Sequence, residues 1–231
     1  ITGIGETEYS RSADKSSIGL MLEASLKAII DAGLKPNDID GVIPYSLGPV
    51  GEEIMTGLNL TDVRFSAQTP MGGASPVAAI QCAAAVIAAG VCNHVLVVLG
   101  RRGASDSRVA NRIAAMPQFR QISEFENPIG AIAPAQLYAP MARRHMELYG
   151  TNEDQFAEIA VTMREHAMLN DNAIMKKPMT VEDHHASRMI SDPFRLFDCC
   201  LESDGGTAVI VSAADRAKDS RAPVTILGVA E

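Results

Sequence analysis

The chain has 231 residues, 47% hydrophobic and 21% charged, with 20 Lys and Arg against 28 Asp and Glu for a net charge of −8. That size and balance suit one large domain or two small ones with a hydrophobic core, and exclude a disordered chain. The negative charge repels phosphate backbones, and the absence of Trp with only 4% aromatic residues leaves little for base stacking, so no nucleic-acid ligand is expected.

The chain opens on Ile1 rather than Met, and residues 224–230 read as a strand in progress, so the sequence reads as part of a longer one. The longest apolar stretches, 77–89 (interrupted by Gln81) and 95–99, fall short of the roughly 20 residues of a membrane span. No signal-peptide pattern opens the chain. Cys82, Cys92, Cys199 and Cys200 have no framework spacing, and a bridge between the adjacent pair would be strained. A reduced, cytoplasmic chain is expected.

In chain order, residues 1–4 read as the remnant of a first strand. Ile18, Met21, Leu22, Leu26, Ile29 and Ile30 recur at helical spacing, with Asp14, Ser16 or Ser17 as a cap, Gly33 as the stop and Pro36 beyond. Residues 40–43 turn into a short strand, 52–58 form a weak short helix, and 63–67 form a strand. Then Thr69-Pro70-Met71-Gly72-Gly73-Ala74-Ser75-Pro76 leads into an Ala-rich run ending at Gly90. A helix apolar on every side is expected to be buried. His94-Val95-Leu96-Val97-Val98-Leu99 follows as a strand whose unbroken apolar run suits burial on both faces. Strand, glycine turn, buried helix and strand make a βαβ element.

Residues 101–127 are polar and irregular, with Pro117 inside and Pro128 just after, and a loop of that length is a functional candidate. Residues 132–149 read as a helix kinked at Pro140. A second helix spans 153–169, with Phe156, Ile159, Ala160 and Met163 on one face and Asn152 with Gln155 as a capping box. Residues 179–185 read as a linker or short turn. Strands are expected at 188–190 and 207–211, separated by the Asp192-Pro193 and Asp204-Gly205-Gly206 turns. A short polar helix or turn at 215–218 and a last strand at 224–229 complete the chain, with no repeat of 20–50 residues.

This order of pieces resembles the thiolase superfamily, closest to its sterol-carrier and lipid-transfer branch. The residues carrying the likeness are the βαβ unit, Ser191-Asp192-Pro193-Phe194-Arg195-Leu196-Phe197-Asp198-Cys199-Cys200, and Ser203-Asp204-Gly205-Gly206-Thr207-Ala208. Ala139-Pro140-Met141-Ala142-Arg143-Arg144-His145-Met146, followed by Tyr149-Gly150-Thr151, also fits that branch. The resemblance implies an α/β chain holding the N-terminal half of a thiolase fold: a mixed five-stranded sheet with helices on both faces and an inserted, mainly helical loop domain. Residues 1–100 and 187–231 would form the core, 101–186 the insertion that covers the active site and helps hold coenzyme A, and the C-terminal half would be absent. It also implies a homodimer, with the sheet around 95–99 continuing across subunits, so that a lone half would expose that edge.

Members of the family place a nucleophilic Cys at the N-terminus of a buried helix, where the helix end stabilises a thiolate. Counting back from Gly90 puts that position at Gly73, and no Cys stands there. Cys82 lies on the order of 13 Å further along the helix. Ser75 reads as the helix cap with Pro76 in the first turn; as a nucleophile it would need an adjacent base, and its surroundings lack the Gly-x-Ser-x-Gly elbow. What remains is a glycine-lined pocket, with Met71 and Gly72 beside the substrate and backbone N–H groups near Gly73 and Ser75 to polarise a thioester or enolate oxygen. A family branch without the Cys is known for retro-aldol cleavage of steroid-like β-hydroxyacyl-CoA compounds, and works with a small partner of the OB-fold, zinc-ribbon kind. The leading expectation is such a lyase, with acyl-CoA as substrate, coenzyme A entering only as part of it, and no covalently bound cofactor. An acyltransferase (acetyl-CoA acetyltransferase or 3-ketoacyl-CoA thiolase) and a non-catalytic acyl-CoA-binding subunit are the alternatives.

Further candidates carry plainer readings beside them. Tyr138, Met141 and His145 would line the acyl tunnel, with His145 as an acid or base, or Tyr138 and His145 would simply pack an amphipathic face. Arg101, Arg102 and Arg108 would meet the coenzyme A phosphates, or belong to a solvated loop. His184 and His185, beside Glu182 and Asp183, read as solvated surface rather than metal ligands, and no metal is expected. Cys199 and Cys200 read as core packing, Cys92 and His94 as packing at a domain or dimer interface, and Asp204 as a turn-shaping structural residue.

Overall fold

The computed structural model describes residues 1–45, 48–109, 111–112, 120–217 and 223–230. The chain divides into two compact units, Ile1–Ser105 with Asp204–Glu231, and Asp106–Ser203.

The first unit is built on a five-stranded mixed sheet in the order β1-β7-β4-β2-β3. Its strands are β1 (Gly3–Glu6), β2 (Gly41–Pro44), β3 (Phe65–Ser66), β4 (His94–Arg102) and β7 (Asp204–Ser212). β4 runs parallel to β2 and antiparallel to β7, and β1 closes the far side antiparallel to β7. The apolar run of β4 is buried on both faces, as its sequence predicts. Leu96 and Val98 pack with Met21, Ala28 and Ile54 from α1 (Ser17–Asp31) and α2 (Gly51–Leu58). Val95 and Val97, pointing the other way, pack with Ala79 and Ala83 of α3 (Ser75–Ala88). Period-two alternation thus assigns one helix layer to each side of the sheet.

Local chemistry sets the helix ends. Ser16 caps α1, its hydroxyl accepting from Gly19 N at 3.2 Å, and Gly33 takes φ +71° beyond its end. α1 lies so close to β1 that a Cβ on Gly3 would stand 2.2 Å from the Ala28 carbonyl oxygen.

Several expectations for this unit need correction. α3 buries only Ser75, Ala78, Ala79 and Ala83, while Val77 is 67% exposed, so the sheet covers one face and the face around Val77 stays open. The strand expected over 63–67 contracts to Phe65–Ser66. Residues 224–229 form no strand: Val224 exchanges two backbone hydrogen bonds with Ile1, and one paired residue does not make a ladder. β4 lies between β2 and β7, so residues 95–99 offer no edge; the edges are β1 and β3. Residues 214–217 form a turn ending in a 3₁₀ position, and Lys218 lies outside the described residues.

The second unit is mainly helical: α4 (Pro134–Tyr149) carries Pro140 inside it, α5 (Glu153–Met168) starts at the Asn152–Gln155 capping box, and α6 (Val181–Ala186) follows. α6 replaces the expected linker, because Thr180 and Asp183 form a capping box of their own. β5 (Met189–Ser191) and β6 (Phe194–Arg195) pair only with each other, so residues 187–203, expected in the core, fall in the second unit. Within the loop expected over 101–127, β4 extends to Arg102 and residues 122–126 make a π-helical turn; Pro117 lies outside the described residues. Among the described residues no helix is long and apolar enough to cross a membrane.

Candidate functional site

In the first unit the candidate residues converge on the turn before α3. Gly72 takes φ +60°, a left-handed conformation that favours glycine. A 3₁₀ turn over Gly72–Ala74 then feeds into α3. Gly73 is exposed, and a Cβ there would meet no atom within 4 Å. Among the described residues the Gly72 and Gly73 N–H groups have no acceptor, whereas Ala74 N reaches Met71 O and Ser75 N reaches Gly72 O. The elbow is therefore a bare backbone surface with two donors at the positive end of a 14-residue helix.

Ser75 does not cap the helix. The N-cap position is Ala74, and the Ser75 hydroxyl, 1% exposed, accepts from Met71 N at 2.9 Å while Ser75 O accepts from the Thr69 hydroxyl at 2.8 Å. Thr69 and Ser75 thus hold the turn shut from inside. A buried hydroxyl serving as acceptor is not presented to a substrate. Met71 is 45% exposed beside the elbow. Cys82 is half-buried on α3, and burial pushes its thiol upward, away from a reactive thiolate.

Of the basic candidates, Arg102 donates to Ala13 O at 3.5 Å and Arg101 is half-buried on β4. Arg108, in the second unit, is committed to Glu202 at 2.9 Å, and Glu202 also accepts from Val109 N and from Arg112. Its charge is therefore neutralised locally. Tyr138, Met141 and His145 lie on α4 in the second unit, all exposed. Met141 and His145, four residues apart, line one shallow face with Leu148 and Tyr149; Tyr138 does not join it. The His145 ring lies 4.7 Å from that of Tyr149, and its Nδ1 meets the Thr151 hydroxyl at 2.8 Å.

The second unit also holds features the sequence reading missed. His184, expected at the surface, is 1% exposed, and its Nε2 meets Asp198 Oδ1 at 2.7 Å. Arg195 N donates to the other Asp198 oxygen at 2.6 Å. The partners stand 14 residues apart in sequence, so no local pattern announced the pair. His185 lies 3.0 Å from Asp154. Beside Asp198 opens a cleft of about 530 Å³, between Phe156, Ile159 and Met163 of α5 and Phe194, Phe197 and Cys199 of the facing segment. Cys199 is half-buried and Cys200 exposed, both on this cleft rather than in the core; burial and then Asp198 push the Cys199 thiol up. No group of three His, Cys, Asp or Glu suited to a metal occurs among the described residues.

Cys92 and His94 lie in the first unit. Cys92 is buried and points at Asp40 O at 3.3 Å, while His94 Nδ1 meets the Ser212 hydroxyl at 2.8 Å. Burial lowers the His94 pKa, favouring the neutral ring.

No protein-family model matches the chain. The steroid side-chain-cleaving aldolase of Thermomonospora curvata is 36% identical over 242 residues, covering 100% of this chain and 61% of that protein. The 17-hydroxy-3-oxo-4-pregnene-20-carboxyl-CoA lyase of Mycobacterium tuberculosis is 35% identical over 238 residues, covering 100% of this chain and 62% of that protein. The solved structure of an Ltp2-ChsH2(DUF35) aldolase matches with a TM-score of 0.88 at 34% identity, over 95% of this chain and 56% of that one. The chain therefore spans well under two thirds of the length of these relatives.

Proposed function

We propose that the chain belongs to the thiolase superfamily, in its sterol-carrier type, and that the protein cleaves a carbon–carbon bond of a bulky, steroid-like β-hydroxyacyl-CoA by a retro-aldol reaction. The observation that carries this reading is the elbow itself. Acyl transfer needs a thiolate where Gly73 stands, and the nearby hydroxyl of Ser75 is buried and engaged.

A retro-aldol step needs no acyl-enzyme. A base removes the proton of the β-hydroxyl, the oxygen's electron pair forms the ketone C=O, and the bond between the α and β carbons breaks. Its electrons pass to the α carbon and the thioester oxygen as an enolate, which is then protonated to the shorter acyl-CoA. The enolate oxygen requires donors fixed in advance, which the free N–H groups of Gly72 and Gly73 supply at the helix N-terminus. The missing Cβ at both positions lets a bulky acyl group approach that backbone. Coenzyme A enters as part of the substrate, and no covalently held cofactor is invoked. The protein works with a small OB-fold, zinc-ribbon partner and forms a homodimer; the aldolase solved as Ltp2-ChsH2 supports the first and the free edge of β3 the second.

The test is product analysis with a bulky tertiary β-hydroxyacyl-CoA, with and without the co-expressed partner. A ketone and a shorter acyl-CoA in equal amounts are expected, without added free coenzyme A. Thiolysis that depends on free coenzyme A, with no ketone released, would overturn the reading.

A further inference from the structure

The cleft of the second unit is lined by residues of that unit alone, and its wall carries a charge that no described carboxylate answers. Arg164 lines it, half-buried, with its guanidinium 5.5 Å above the Phe197 ring and Nη1 donating to Lys177 O at 2.6 Å. Elsewhere in this unit Arg108 and Arg112 meet Glu202, Arg143 meets Asp192 and Arg195 meets Glu153. Arg164 meets no carboxylate among the described residues, in a chain with a net charge of −8. Asp198, the one carboxylate on the wall, is 7% exposed and spends both oxygens on His184 and Arg195 N, so it does not neutralise Arg164.

We propose that this cleft binds a rigid, apolar ring compound bearing a single carboxylate, its ring between α5 and the facing aromatic side chains and its carboxylate on Arg164. The volume of about 530 Å³ is in the range of small-molecule sites. Ile159 and Met163, on its wall, are 64% and 60% exposed, and an apolar ligand would bury part of that surface. Phe156 and Phe194 meet edge to face at 5.9 Å, and with Phe197 they give the cleft stiff aromatic sides that favour a ring over a flexible chain, since a rigid ligand loses less freedom on binding. A single cation suits one carboxylate, not the several phosphates of coenzyme A. The site thus recognises a free acid and goes beyond the proposed cleavage of its coenzyme A ester.

Calorimetric titration of the full chain with lithocholate tests this, with dodecanoate as the flexible acid and progesterone as the uncharged ring. Lithocholate is expected to bind saturably, one per chain, and about tenfold more tightly than either control. Arg164→Gln and Met163→Asp should each weaken it about tenfold, with unchanged circular dichroism. The second variant changes a side chain that is mostly exposed, so it tests the site even if the first misfolds. Absence of saturable lithocholate binding, equal affinity for dodecanoate, or affinity untouched by Met163→Asp would overturn the proposal. Binding is read without turnover, so it and the cleavage reading fail separately.

Discussion

Asp204 shows how much a single side chain contributes where the chain leaves and re-enters the first unit. Fully buried, it accepts from Ala13 N at 2.9 Å, Ala104 N at 2.8 Å, Ser105 N at 3.1 Å and the Ser105 hydroxyl. Burial alone would raise its pKa, but these donors outweigh it and hold the carboxyl at about 2, against an ordinary 3.8. Asp204→Asn would turn an amide NH₂ toward donors and should cost about 2–3 kcal/mol, read as a lower urea midpoint. A carboxylate depressed in the folded state stabilises fully above its unfolded value and loses that contribution as the pH falls through its folded value. The gap between wild type and variant should therefore be complete above pH 3.8 and shrink as the pH falls to about 2. A gap that stays constant over that window would contradict the assignment. The sequence shows Asp204 only as a turn residue; all four of its donors lie 99 or more positions away, a distance no local pattern spans.

At the scale of elements, legibility follows the range of the interaction. The cap of α1, the capping box of α5 and the apolar run of β4 are encoded within a few residues each, and the sequence predicts them. α6 is encoded equally locally: Thr180 accepts from Asp183 N at 3.2 Å and Asp183 accepts from Thr180 N at 2.9 Å. It escaped because the run is six residues long and polar, too short for an apolar period to show. The all-apolar composition of α3 predicts burial on every side, but composition cannot say which face the rest of the protein covers. The elbow's glycines were legible, but the inward turn of Ser75 was not, because it depends on the 3₁₀ path through Gly72. Thr180→Ala should cost about 1 kcal/mol by removing the cap. Because α6 carries His184 to Asp198, the loss should also speed amide exchange in residues 181–186. Unchanged exchange there would show that the His184–Asp198 pair holds the helix without its cap.

For the molecule as a whole, the question is which sheet edge can recruit a second chain. β1 is an edge by position but not by chemistry: Ile4 N donates to Asp31 at 2.9 Å and Lys27 donates to Glu6 O at 2.9 Å, so α1 side chains occupy its outward groups. Among the described residues, no side chain bonds to the outward groups of β3. Its neighbours Phe65 and Ala67 direct their N–H groups at β2, through Asp40 O and Val42 O, which leaves Ser66 N on the free side. An uncovered strand edge is a template for pairing. The proposed homodimer should therefore form through β3, and Ser66→Pro should abolish it by removing the outward donor while sparing the bonds to β2. Light scattering should show a dimer for the wild type and a monomer for Ser66→Pro, with matching circular dichroism. A wild-type monomer would remove the support that β3 gives to the dimer, and a dimer that survives Ser66→Pro would move the interface elsewhere, to the uncovered face of α3 around Val77.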